Sequence, residues 1–151
     1  MRCERGSAMV EFALVLPLFL LLVTGIFSFG IALNNYLTLT DAVSVGAQYL
    51  AVSRANTTNP CADAASAIYN AAPYLNPSKL GLTFVLGGTS YGAFTGAAAT
   101  TCSSGSSSTG AAGNLVQGQS AEVIATYPCT LAVYGYNFAC NLHAQITEIV
   151  Q

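Results

Sequence analysis

The sequence predicts an α+β protein: a long N-terminal helix of membrane-spanning character carrying a small antiparallel β-sheet head. Three observations lead there. Phe12 to Leu33 is an unbroken stretch of 22 residues without an ionisable side chain, and about 20 apolar residues suffice to cross a bilayer core of roughly 30 Å as a helix. The helical period then continues into more polar sequence. Beyond residue 56 the pattern changes to short alternating segments punctuated by Gly, Pro and Asn.

The chain has 151 residues with 7% charged side chains and a net charge of −2, against about 25% charged in an ordinary soluble domain. There is no basic cluster, so the phosphate neutralisation that drives nucleic-acid binding has nothing to work with. Once the helix is set aside, about 95 residues remain, enough for one small domain.

Taken in order, MRCERG reads as a short charged leader, residues 1–6. Residues 7–33 form the apolar helix. Inside hydrocarbon the backbone must satisfy its own hydrogen bonds, which only a helix or a closed barrel allows. Arg2 and Arg5 precede the segment and no Lys or Arg follows until Arg54, so the N-terminus is expected on the cytoplasmic side. A conventional signal peptide has a shorter apolar region; Gly30-Ile31-Ala32 imitates its cleavage site but lies late. Pro17 removes a backbone hydrogen bond and is expected to kink or loosen the helix. The carbonyl it frees at Ala13 then needs a neighbouring helix or a hydroxyl such as that of Thr24.

Glu11 is the one carboxylate at the mouth of the apolar run. Near a helix start its cost falls, because the side chain reaches the interface and the helix dipole favours an anion. It is either an interfacial residue with no further task or one half of an ion pair.

Residues 34–55 continue the helix outside the membrane. Leu39, Ala42, Val43, Gly46 and Leu50 recur at three- and four-residue spacing and predict one buried face. A single helix over 7–54 would be about 72 Å long, so its second half must leave a bilayer and pack on the head, residues 56–151. Asn56 to Pro60 reads as a turn-rich break, and Asn56-Thr57-Thr58 fits a glycosylation tripeptide. A short helix is expected over 63–69, then strands over 80–86, near 91–94 and over 121–127. Pro128 is expected to stop the third, and a last strand covers 142–150. Residues 95–113 are almost entirely Gly, Ala, Ser and Thr and are expected to form a flexible exposed loop.

Cys61, Cys102, Cys129 and Cys140 follow the helix, while Cys3 precedes it, a split that suits a reducing cytoplasm on one side and an oxidising exterior on the other. Four cysteines allow three connectivities; Cys129–Cys140 across a turn with Cys61–Cys102 is preferred. Zinc is disfavoured, since the ligand pairs it needs are closely spaced and His143 is the only histidine. No cofactor is expected. Gly88-Thr89-Ser90-Tyr91-Gly92 fits G-x-S-x-G, with Glu122 and His143 following in the order of a hydrolase triad. That motif requires a strand before it and a helix after it, and the Gly- and Thr-rich sequence that follows has no helical period. Tyr127, Tyr134, Tyr136 and Phe138 are either core residues or an adhesive surface.

The stretch RGSAMVEFALVLPLFLLLVTGIFSFGIAL, followed by LTLTDAVSVGAQYLA, resembles the TadE-like family of the tight-adherence (Tad) type IV pilus system. Its opening is similar to a type IV prepilin signal: Gly6, then a cleavage point, then Ser7, with Glu11 at the fifth position after the cut and Phe12 opening the apolar helix. The resemblance covers the N-terminal third. It implies a pilin-like fold, processing between Gly6 and Ser7, and assembly through Glu11, Phe12 and Pro17 into a pilus, for adhesion or secretion. It further implies a prepilin peptidase, an assembly platform with its ATPase, and sister pilins or further copies of the chain as partners. Storage in the inner membrane among lipid would precede transfer to the cell surface, with no enzymatic activity of its own. An uncleaved single-pass membrane protein whose exported head binds an envelope component is the alternative.

Overall fold

The computed structural model describes residues 4–96, 102, 111–133 and 135–151. Two compact units emerge from its contacts. One comprises Met1–Asn34 with Cys129–Cys140, the other Asn35–Pro128 with Asn141–Gln151. The protein is α+β, with a long apolar helix and a small antiparallel sheet.

Helix α1 runs from Glu4 to Val52, 49 residues, or about 73 Å at 1.5 Å per residue. It begins three residues before the expected start, inside the leader. Arg and Glu are good helix formers, and a long helix already nucleated downstream extends at little cost. Pro17 lies within it without ending it. Thr24 does not serve the Ala13 carbonyl, which lies about three turns away: its hydroxyl donates to Leu20 O at 2.9 Å and Leu21 O at 3.0 Å in its own helix. The helix stops two residues earlier than the period suggested. There Ser53 Oγ donates to Leu50 O, Asn56 N donates to Ser53 O, and Ala55 turns into the left-handed region at φ 65°.

In the second unit, Leu39, Ala42, Val43, Ala47 and Leu50 of α1 are fully buried, one stripe at helical spacing. They meet α2 (Pro60–Ala71), which buries Cys61, Ala64, Ala65 and Ile68. Helix α2 starts three residues before the expected position because Pro60 opens it rather than breaking the chain. Pro is well suited to the first helical position, where its missing N–H is no loss. Asn59 caps the helix, its side chain accepting from Ala62 N.

Gly46 is what lets the two helices approach. A Cβ there would lie 2.5 Å from Ile68 Cγ1, closer than real contacts permit. Gly46→Val should therefore destabilise the head by about 1–3 kcal/mol, despite the better helix propensity of valine. Urea unfolding of the oxidised full-length chain in detergent checks this.

Among the described residues the sheet has four strands in the order β2-β1-β3-β4: β1 (Gly81–Leu86), β2 (Thr89–Thr95), β3 (Ser120–Val133) and β4 (Tyr136–Ile149). Strands β1 and β2 form a hairpin through Gly87 and Gly88, at φ 55° and 82°, the left-handed pair that a two-residue turn requires. β1 pairs antiparallel with both β2 and β3, with a register shift between Leu82 and Phe84 on the β2 side. One face is the core: Leu82, Phe84, Leu86, Ala121, Val123, Ala125 and Ala144 are buried. Phe84 and Phe94 sit with ring centroids 6.2 Å apart.

Pro128 does not stop β3, which continues to Val133. β1 pairs with β3 only as far as Thr126. Beyond that residue the ribbon has two strands, Pro128 is at an open edge, and the missing donor is tolerated. β4 is correspondingly longer than 142–150. At the far end the chain closes on α1, with Gln151 N donating to Ala51 O. Most of the expected 95–113 loop lies outside the described residues.

Candidate functional site

The residues singled out for processing and assembly, Gly6, Ser7, Glu11, Phe12 and Pro17, all lie on α1. Ser7 and Glu11 are four residues apart on that helix, about one turn. Glu11 is exposed, and Phe12 is 66% exposed. From there to Leu33 the helix shows large apolar side chains in every direction: Leu14, Leu18, Phe19, Ile26, Phe27, Phe29 and Ile31 are all exposed. A helix apolar all round is not a surface helix of a soluble fold, and so large a contiguous patch needs lipid or protein against it. By length and composition it can cross a membrane, and its most apolar stretch has no buried residues.

The same unit holds residues 129–140, the turn end of the β3–β4 hairpin. Cys129 and Cys140 are bonded, with Cα atoms 4.9 Å apart. They face each other across the two strands. Ser28 Oγ donates to the carbonyl of Ala132, so the hairpin is fastened to the apolar helix. Ser28 was not among the residues the sequence marked. A hydroxyl in an apolar run, a feature it shares with Thr24, was the available signal.

In the other unit, Cys61 and Cys102 are bonded, with Cα atoms 5.4 Å apart. The Asn59 side chain that caps α2 also accepts from Cys102 N at 3.2 Å, so cap and bridge hold the same point. The two bridges span separations of 41 and 11 residues. Loop-closure entropy assigns them about 4 and about 3 kcal/mol. Cys61→Ser/Cys102→Ser should accordingly lower head stability more than Cys129→Ser/Cys140→Ser, a ranking that urea midpoints of the two variants will test.

Residues 6–48 match the family model TadE, described as TadE-like protein. The TadE-like segment contains every residue that the sequence singled out for processing and assembly, and the first part of the buried α1 face. No curated protein and no solved structure matches the chain.

Outside the TadE-like segment, the G-x-S-x-G motif occupies the β1–β2 turn and β2 itself, so no helix follows the serine. Ser90 and Glu122 both pair with Val85, from opposite sides. Two strand spacings, about 10 Å, separate them, and Glu122 accepts from Gln145 instead. His143 is exposed on β4. This is not the strand–turn–helix setting in which such a serine is a nucleophile. A serine-directed fluorophosphonate probe is expected to leave Ser90 unlabelled. Among the described residues, no three His, Cys, Asp or Glu side chains cluster to hold a metal ion.

The aromatic residues near the C-terminus divide. Tyr127 packs against the core, and its hydroxyl accepts from Asn76 N at 3.3 Å. Tyr136 and Phe138 are exposed. Tyr134 lies outside the described residues.

Proposed function

We propose that the chain is a structural pilin or minor pseudopilin subunit of a Tad-type pilus. In this reading it is stored in the inner membrane with its N-terminus in the cytoplasm. A prepilin peptidase cuts between Gly6 and Ser7, and an assembly platform with its ATPase draws the helix into a filament beside sister pilins or copies of itself. The filament serves adhesion or secretion, and the subunit performs no chemistry. The observation that carries the reading is the TadE-like segment at residues 6–48 on a helix whose apolar side chains stand exposed on all sides. Such a helix can exchange lipid for neighbouring helices, because both offer hydrocarbon and neither must be wetted.

A second reading, an uncleaved membrane protein whose exported head binds an envelope component, is favoured by one feature: α1 runs unbroken through Glu4, Arg5, Gly6 and Ser7. N-terminal sequencing of the chain from a sheared surface-filament fraction separates the two. A chain beginning at Ser7 supports the pilin. A chain that keeps Met1 to Gly6, or that stays with the membrane after shearing, supports the alternative.

A further inference from the structure

The β3–β4 hairpin is long for a head of this size, and its end carries no charge. Between Glu122 and Glu148 there is no Asp, Glu, Lys or Arg. Tyr136 and Phe138 are two apart on one strand and so share a face; they are 71% and 59% exposed. Two aromatic side chains left open at the end of a charge-free ribbon are not explained by the core, which lies at the other end of these strands.

The Ser28–Ala132 hydrogen bond fixes where this ribbon sits along α1. If residues 12–33 cross the hydrocarbon, Ser28 lies five residues inside the exported end, about 7.5 Å. The helix at that level presents Ile26, Phe27, Phe29 and Ile31, each more than 60% exposed. A ribbon tied there is not in bulk water. It cannot enter the hydrocarbon deeply either, because a two-stranded ribbon has open edges whose N–H and C=O groups would go unsatisfied. The boundary between acyl chains and headgroups meets both conditions. It is also where tyrosine and other amphipathic rings collect on membrane proteins.

We propose that the end of the β3–β4 hairpin is a membrane-interface anchor. Tyr136 and Phe138 rest on lipid at the acyl–headgroup boundary of the exported leaflet, and the Cys129–Cys140 bridge keeps the ribbon paired as it does so. The anchor holds the hairpin end at the membrane surface while the subunit is stored and releases it on extraction. Because the tip is uncharged, the contact depends neither on anionic lipid nor on ionic strength.

The inference rests on the membrane-stored reading, and the test separates the two. The chain has no tryptophan, so a single introduced one is an unambiguous reporter. Phe138→Trp, Phe19→Trp in the apolar helix, and Tyr74→Trp on a head loop, where Tyr74 is 94% exposed, are compared as full-length chains in phosphatidylcholine vesicles. The expected result is Phe138→Trp emission to the blue of Tyr74→Trp. Its quenching should be severalfold stronger with lipid brominated near the headgroup than with lipid brominated near the chain end, with weak acrylamide quenching, the same at low and high salt. Phe19→Trp should report the deeper bromines. Phe19→Trp quenched by lipid while Phe138→Trp behaves like Tyr74→Trp overturns the anchor and leaves the span intact. Phe19→Trp untouched by lipid overturns the span and the anchor with it. Shielding of Phe138→Trp that ignores brominated lipid but grows with protein concentration assigns the tip to a second copy and also overturns the anchor.

Discussion

Phe84→Ala is expected to remove about 3–5 kcal/mol from the stability of the head. Phe84 is the largest fully buried side chain among the described residues. It lies on β1, between Tyr91 of β2 and Val123 of β3, with its ring against Phe94. Truncation opens a cavity that the neighbours cannot fill. Pairing on both sides holds the backbone of β1, and Ala121 and Ala125 are too short to reach across. A domain of this size has about 5–15 kcal/mol in total, so the variant should sit close to its unfolding transition at physiological temperature. The measurement is urea unfolding of the oxidised full-length chain in detergent, followed by the near-ultraviolet dichroism of the head tyrosines. Ser90→Ala on the exposed side of the same sheet should stay within about 0.5 kcal/mol of wild type. A Phe84→Ala loss below about 1 kcal/mol would mean that the sheet does not pack as described.

Much of this arrangement is legible in the residues, where local rules act without competition. The α1 face through Leu39, Val43 and Leu50 follows from period alone, since nothing in that stretch argues for another structure. The Gly87-Gly88 turn is marked because only glycine takes both left-handed positions without strain. Two of the misses share a cause: each is a proline whose meaning depends on its neighbours in space. Pro60 reads as a breaker in a run of Asn and Thr, yet it is the first helical residue once Asn59 caps the turn. Pro128 reads as a strand end, yet it is harmless because β1 has already run out opposite Thr126. The same ribbon hid the extent of β4. Of the candidate site, Glu11 stands out as a carboxylate at the mouth of an apolar run, whereas the Gly6–Ser7 junction is marked only by the resemblance to a prepilin signal. The Ser28–Ala132 link was not visible, because its two ends are 104 residues apart and a backbone carbonyl leaves no mark in a sequence.

Glu11→Gln is expected to leave membrane insertion unchanged and to reduce incorporation into filaments by about 100-fold or more. The reasoning begins with what the pairing must overcome. In a processed chain beginning at Ser7, Glu11 would lie one turn from the helix start, where the carboxylate can reach the interface and costs little. In the proposed filament the same position would be surrounded by other helices, and a carboxylate there would need a cation. The proposed cleavage after Gly6 would supply one, the new ammonium on Ser7. Removing one member of a buried pair costs about 3–5 kcal/mol, and each 1.4 kcal/mol is tenfold in an equilibrium. Glutamine keeps the size of the side chain and most of its hydrogen bonding, so a loss in this variant is a loss of charge. Leu14→Ala, also an exposed position of the apolar helix, removes contact area and no charge, and should cost far less. About one turn separates Glu11 from Ser7, so the pair can also form within a single chain. In that case the variant would already weaken the processed subunit in the membrane, before any filament exists. Quantifying the variant in membrane and sheared-filament fractions, with processing followed by intact mass, distinguishes these outcomes. Loss from the filament alone assigns the pair to neighbouring subunits, and wild-type levels in both fractions would leave Glu11 an interfacial residue with no task in assembly.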